Sequence, residues 1–321
     1  MIPILRHRLA IDYGWLIPRL AIVGTRYVRH IPLSPQRSQV VSEKGIAIIP
    51  VHGVLSQRQS EMMDWFGGTA TESVAAAVVA AVNNQSINAV VLDVDSPGGM
   101  TYGIEETAGI IRTAAKMKPV FAIVNSRAMS AAYWLASAVG QGNLFAAPGS
   151  DVGSIGVFML HEDISGMLEV AGIKVTCIHA GESKAELLSC MALSDEAKAH
   201  LQSQVDITHA AFVRDVAVGR GVSEAAVRAS FGGGRFFDAS VAANIGMVDG
   251  VRTMRDLMAE VGKKHDDDMD DDEDMMMAQN EMRIAWKRAK TSGFNLFLAP
   301  AQQFCESVRE RMRRLDLTTI N

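Results

Sequence analysis

Val120-Phe121-Ala122-Ile123-Val124-Asn125-Ser126-Arg127-Ala128-Met129-Ser130-Ala131-Ala132-Tyr133-Trp134 sets a serine between a short apolar strand and a helix of small residues. Residues 120–124 form a continuous apolar run, as a strand buried on both faces requires. Residues 131–139 read as a helix. At such a junction the first helical N–H groups lack intrahelical partners, and the helix dipole favours developing negative charge. That suits a nucleophile at Ser130. It suits a helix-capping serine equally well, because a cap needs the same residue in the same place.

Outward from this stretch the same alternation repeats. Residues 46–51 and 89–94 are apolar runs of strand length, the first bounded by glycines and the second ending at Asp95-Ser96-Pro97-Gly98-Gly99. Helices are expected over 73–82, with Thr69 or Thr71 as cap, and over 104–116. Further strands are expected at 144–147, 154–159 and 174–179, with a helix between at 163–171. Ser194, followed by Asp195 and Glu196, caps a long helix to about residue 218. Shorter helices follow at 222–230, 239–244 and 253–261. Strands alternating with helices of ten or more residues mean an α/β fold with a mainly parallel sheet. Sites in such sheets lie at the carboxyl ends of strands. The Pro-Gly-Gly turn and Ser130 both follow strands, so they are expected on one edge.

The composition is that of a globular protein, with 48% hydrophobic and 21% charged residues in 321. A net charge of −5 gives no basic footprint for nucleic acid. Cys177, Cys190 and Cys305 are odd in number and widely spaced, which argues against a disulfide framework or a zinc site and fits a reducing, cytoplasmic compartment. The apolar stretch 9–23 is interrupted by Asp12, Pro18 and Arg19, so neither a membrane span nor a signal peptide is expected. Eight of the ten residues from 265 to 274 are acidic, a density that repels and does not pack. The expected organisation is an N-terminal arm at 1–44, a core at 45–263, and an acidic, disordered linker with a basic, partly helical tail at 264–321.

Four motifs bear on chemistry. Ser130 is the first. The second is Ser96-Pro97-Gly98-Gly99, whose glycines let backbone N–H groups approach a ligand, as acyl transfer requires around an oxyanion. A plain Pro-Gly turn has the same residues. The third is Gly153-Ser154-Ile155-Gly156-Val157, which also reads as a tight strand entry. The fourth is Gly181-Glu182-Ser183-Lys184. A loop lysine is ordinarily a solvated charge and serves as a base only if burial lowers its pKa. Histidine is the commoner base; none of His52, His161, His179, His200 and His209 stands in a recognisable triad setting, and His179 stays open as an alternative base. Asp93 and Asp95 form a possible carboxylate pair, with Asp93 inside a buried strand. No metal-ligand spacing or phosphate loop is present.

In this order the four motifs resemble those of the S49 family of serine peptidases, the signal peptide peptidase A group. The resemblance extends to the Gly246-Met247-Val248-Asp249-Gly250 segment and covers residues 45–262. It implies a ClpP/crotonase-like fold with repeated ββα units and no cofactor or metal. It implies a Ser–Lys dyad in which Lys184 takes the proton of Ser130, and Ser130 attacks a peptide carbonyl to give an acyl-enzyme. Gly98, Gly99 and Ala131 are implied as oxyanion donors, Ser154 as the residue orienting Lys184, and Tyr133 and Trp134 as an apolar wall.

Within that family the chain looks most like phage head-maturation, or capsid assembly, proteases. That implies capsid, scaffold or portal proteins as substrates, a homo-oligomer, and a host-cytoplasmic or prohead location. The alternatives are a cytoplasmic peptidase of signal-peptide fragments, a crotonase-like acyl-CoA enzyme, and an inert protein that binds a capsid shell.

Overall fold

The computed structural model describes residues 9–11, 41–43, 45–58 and 67–267. The chain divides into two compact units, Met1–Lys263 and Lys264–Asn321. The acidic run past residue 267 and the basic stretch after it lie outside the described residues.

The expected α/β architecture is present. Six strands build the long path of the main sheet, in the order β11-β10-β8-β6-β3-β2. They are β2 (Val41–Glu43), β3 (Ile46–His52), β6 (Ala89–Ser96), β8 (Val120–Met129), β10 (Asp151–Gly153) and β11 (Phe236–Asp238). The pairs β3–β6, β6–β8 and β8–β10 are parallel, and the two outermost pairings are antiparallel. β9 (Leu144–Ala146) joins the first half of β8, and β12 (Gly250–Val251) joins β9.

A second sheet runs β1-β7-β4-β5. Its strands are β1 (Leu9–Ile11), β4 (Val54–Ser56), β5 (Gly68–Ala70) and β7 (Gly98–Met100). β3–β4 and β6–β7 are each a long strand of the main sheet turning into a short strand of the second. Each is followed by a helix, α1 (Thr71–Asn83) and α2 (Ile104–Ala114) respectively, after β5 in the first case. These are the expected ββα repeats. α3 (Ala131–Ser137) follows β8, and after β10 come α4 (Ser165–Val170), α5 (Asp195–Arg220), α6 (Glu224–Ser230), α7 (Ala239–Asn244) and α8 (Met254–Asp267).

The apolar runs that announce β3, β6 and β8 are continuous because both faces of the sheet are covered. Alternate residues such as Ile49, Leu92 and Val124 pack with α1, α2, α3 and α5. The intervening Ile46, Val91 and Ile123 pack with Phe145 and with Leu257 and Val261 of α8.

Ser194 caps α5 as expected, accepting from the Ala197 amide at 3.1 Å. The cap expected for α1 is corrected. Its N-cap is Ala70 with no side-chain bond, while the Thr69 hydroxyl donates to the His52 carbonyl at 2.8 Å and the Thr71 hydroxyl is buried without a partner. Two expected strands are also corrected. The strand near the Gly-Ser-Ile-Gly motif is β10, at Asp151–Gly153, ahead of residues 154–159. Residues 174–179 form no strand, because no neighbouring strand takes up their backbone bonds, and their side chains are exposed.

Candidate active site

Register places three of the four motifs side by side. Ser96 at the end of β6 lies opposite Ala128 of β8. Gly153 at the end of β10 lies opposite Met129 of β8. The Ser-Pro-Gly-Gly turn, Ser130 and the Gly-Ser-Ile-Gly segment thus leave three adjacent parallel strands at the same edge, with Ser130 in the middle.

Ser130 is 1% exposed and stands at the N-cap position of α3, yet its side chain makes no capping bond. Its backbone has φ 56° and ψ −121°, a conformation that costs a non-glycine residue about 1–3 kcal/mol. A capping serine has ordinary extended geometry, so the capping alternative does not describe this residue. What over-determines the strain is local. The Ser130 amide donates to the Gly153 carbonyl at 2.7 Å, and its own carbonyl accepts from the Trp134 amide at 3.0 Å. The hydroxyl, freed from the helix, donates to the Gly156 carbonyl at 3.3 Å.

α3 is held firmly behind Ser130. Trp134 stacks on Phe212 of α5 with ring centroids 4.6 Å apart, and its indole N–H donates to Asp215 at 2.8 Å. Arg112 of α2 completes that cluster at 3.3 Å from Asp215. The Tyr133 hydroxyl donates to the Met247 carbonyl at 2.8 Å. Tyr133 and Trp134 are therefore core anchors of α3, buried behind the nucleophile position, rather than the wall expected for the site. The Gly246–Gly250 segment has a similar role. Asp249 pairs with buried Arg220 at 2.7 Å and accepts from the Leu144 amide at 2.9 Å.

The glycine turn is specified by close approach. A Cβ at Gly99 would lie 2.0 Å from the Leu55 carbonyl oxygen, so only glycine lets β7 meet β4. Gly98 has φ 91°, and its amide donates to the Ser96 hydroxyl at 3.1 Å, which in turn donates to the Gly53 carbonyl at 2.6 Å. The Gly98 donor is thus engaged within the turn. Gly99 lies one residue further along β7, and Ala131 opens α3.

Ser154, directly after β10, also has positive φ, 57°, and its amide donates to the Arg235 carbonyl at 2.7 Å. Among the described residues, Ser130 and Ser154 are the non-glycine positions with positive φ.

Lys184 makes no hydrogen bond to this cluster. It sits in an exposed turn after residues 174–179, its amide bonded to the Gly181 carbonyl at 3.1 Å. The lysine that burial does act on is Lys118. Desolvation lowers its pKa, and its ammonium donates to the carbonyls of Ala81, Asn84 and Ile87. Lys118 precedes β8 at the opposite end of the sheet from Ser130, so it ties off α1 and takes no part in the site.

Two histidines have surroundings that the sequence did not disclose. His52 ends β3 and bonds Asp93 at 3.0 Å, so Asp93 pairs with a histidine rather than with Asp95. The Asp93 hydrogen bond raises the pKa of His52 against the opposing effect of burial. Asp95 instead faces Arg127 at 3.6 Å. His209 on α5 has its pKa lowered by burial and by Arg228, against the raising effect of Asp206 and of the backbone of Ile155, between Ser154 and Gly156. The signal for both lies in strand register and helix packing, which no local motif carries.

Residues 112–267, which include Ser130, Ser154 and Lys184, match the family model for peptidase family S49. The chain belongs to peptidase family S49. The S49 chain is 32% identical over 219 residues to capsid assembly protease C of Escherichia phage lambda, covering 67% of this chain and 49% of that protein. It is 36% identical over 183 residues to head-tail preconnector protein GP5 of Enterobacteria phage P21, covering 57% of this chain and 36% of that protein. A putative signal peptide peptidase SppA of Enterococcus faecium is 30% identical over 185 residues, covering 56% of this chain and 52% of that protein. The S49 chain spans about half the length, or less, of these relatives.

Proposed function

We propose that the chain is a serine endopeptidase that processes phage head proteins, with Ser130 as nucleophile and Lys184 as general base. The observation that carries this reading is the state of Ser130. It is a buried, strained serine hydroxyl released from helix capping, set between a glycine turn and the Gly-Ser-Ile-Gly segment. Strained strand-to-helix turns of this kind present a nucleophile at the top of a sheet.

In the proposed reaction, neutral Lys184 accepts the Ser130 proton as the hydroxyl oxygen bonds to the scissile carbonyl carbon. The tetrahedral oxyanion is held by the amides of Gly99 and Ala131, with Gly98 contributing only if its bond to Ser96 opens. Protonated Lys184 then gives its proton to the leaving amine, and the acyl group stays on Ser130. Water attacks that ester, losing a proton to Lys184. The bond from the acyl carbon to the Ser130 oxygen then breaks as Lys184 returns that proton to the oxygen. This releases the new carboxyl end and restores Ser130 and neutral Lys184. Ser154 orients the lysine. The catalytic core runs from residue 45 to 263, and no cofactor takes part.

A neutral lysine requires a dry setting. The segment that bears Lys184 exposes Met167, Val170, Ile173, Val175, Ile178 and Leu187, with Val170 and Ile178 above 90%. Large apolar side chains exposed this often in one segment support an interaction site there. Packing of this segment in a homo-oligomer supplies the desolvation that Lys184 needs and brings it to Ser130.

The test is co-expression with a phage head gene set, comparing the wild type with Ser130→Ala and Lys184→Ala. Processed head proteins should appear only with the wild type. Unchanged processing by both variants defeats the dyad. A second reading, the same chemistry on signal-peptide fragments in the cytoplasm, is favoured by the likeness to the Enterococcus protein. It gains if the purified chain degrades such fragments in a Ser130-dependent way and leaves head proteins intact.

A further inference from the structure

β7, which carries Gly98 and Gly99, has two edges. β4 takes one, with Leu55 opposite Gly99. β1 takes the other in antiparallel pairing, with Leu9 opposite Met100, Ala10 opposite Gly99 and Ile11 opposite Gly98. Among the described residues β1 ends the four-stranded sheet. The outer edge of the glycine pair is therefore filled by main chain from an upstream segment of the same polypeptide.

That edge is a distinctive place for a strand to settle. β7 packs against α3, the helix that Ser130 opens. Addition of an extended strand to a sheet edge is a recurring mode of peptide binding, in which main-chain hydrogen bonds supply affinity that tolerates many sequences. A peptide on the outer edge of β7 would run past Gly99 beside the Ser130 junction. β1 already lies in that position.

We propose that β1 is a tethered competitor for the peptide-binding edge of β7, and that a protein substrate enters by displacing Leu9–Ile11. This rests on the peptidase reading above. Displacement is feasible because β1 has three residues and pairs on one side only, the kind of element that opens at low free-energy cost. Competition is nonetheless effective, since a strand carried on the same chain competes intramolecularly and a separate peptide must compete at its bulk concentration. Apparent affinity for an incoming peptide falls in proportion to the fraction of chains whose edge is free.

The experiment uses the full chain carrying Ser130→Ala, so that nothing is cut, and a fluorescein-labelled peptide of residues 5–15. Adjacent amides of an edge strand point to opposite sides, so the double substitution Ala10→Pro, Ile11→Pro removes an amide from the β1–β7 ladder whichever of the two faces β7. Fluorescence anisotropy should show the peptide binding about tenfold or more tightly to the doubly substituted chain. Hydrogen exchange should show Gly98–Met100 exposed by the substitution and protected again by the peptide. The two single variants should split, the one whose amide faces β7 behaving like the double variant and the other like the parent, with circular dichroism confirming that all the chains fold. Equal affinity in all the chains, or binding to none, overturns the proposal. With Ser130 restored, the doubly substituted chain should cleave fluorescein-labelled casein several-fold faster. Tighter peptide binding without any Ser130-dependent cleavage would remove the peptidase reading and leave the strand competition standing.

Discussion

The amide of Ser130 donates to the carbonyl of Gly153 at 2.7 Å, joining the end of β8 to the end of β10. On either side of that bond stand Ser130 and Ser154, each with positive φ. The bond fixes the direction in which the chain leaves β8, and so it fixes where the Ser130 hydroxyl goes. A helix start alone would have drawn that hydroxyl onto the helix.

The strain at Ser130 has a measurable consequence. Ser130→Ala and Ser130→Gly should both abolish covalent labelling by a serine-directed acylating probe. Glycine adopts φ near 56° freely and alanine does not. In chemical denaturation, Ser130→Gly should therefore be more stable than Ser130→Ala by about 1 kcal/mol. An alanine variant at least as stable as the glycine variant would contradict the strained backbone.

Gly99→Ala tests the approach of β7 to β4. The added methyl would lie 2.0 Å from the Leu55 oxygen, so the strands must separate. Overpacking of this kind costs about 1–3 kcal/mol. On the proposed mechanism Gly99 is an oxyanion donor, and displacing its amide should lower the rate about 10²–10³-fold. Denaturation and turnover measured on the same sample should show both effects, while Gly109→Ala, on α2 where the added methyl meets only Arg112 Nη2 at an ordinary contact distance of 4.0 Å, should show neither.

Lys118 and Lys184 should separate stability from activity. Lys118→Met leaves three carbonyls without their charged donor and should cost about 1–3 kcal/mol, with turnover per folded molecule unchanged. Lys184→Met should leave the denaturation midpoint within experimental error, because its side chain is exposed, and should remove turnover. The reverse pattern would exchange the roles of the two lysines.

Acid sensitivity should centre on Asp249. Burial works to raise its pKa, but the Arg220 hydrogen bond and the amides of Leu144 and Gly142 outweigh burial and lower it. A carboxylate whose folded pKa is depressed contributes stability above its unfolded pKa, about 4. That contribution is lost as pH falls through the lower folded value. Asp249→Asn should remove this part of the acid transition. It should also cost about 3 kcal/mol at neutral pH, since buried Arg220 loses its counter-charge.

His52 has the opposite sign. The Asp93 bond raises its pKa, so the pair stabilises fully below the unfolded value of about 6.5. That stability is lost as pH rises through the raised folded value. Stability measured across neutral pH should fall in the wild type more than in Asp93→Asn. Parallel curves would show that the pair contributes nothing.

Much of this arrangement is legible in local sequence. The apolar runs of β3, β6 and β8 are continuous because two covered faces demand it, and each ends at a residue group with its own turn chemistry. Ser194 caps α5 through an interaction three residues long, which a local motif can encode. The failures are all cases where a distant segment decides. Thr69 does not cap α1 because His52, on another strand, takes its hydroxyl. Residues 174–179 have strand-like composition, but a strand exists only where a neighbour accepts its hydrogen bonds.

For the site, the sequence by itself determined that Ser130 and Gly98–Gly99 each follow a strand. In a parallel sheet, that is enough to put them on one edge. The structure alone put Ser154 after a strand, β10. Tertiary structure alone decided the strand order β10-β8-β6, which makes the three segments neighbours. It alone decided that Ser130 is an uncapped, strained hydroxyl, because φ at that residue is imposed by a hydrogen bond to Gly153 and by the anchoring of α3 on α5. It also decided that the buried lysine is Lys118 and that Leu9–Ile11 lies on β7. Burial and strand pairing are properties of segments far apart in the chain, and a local pattern holds no record of them.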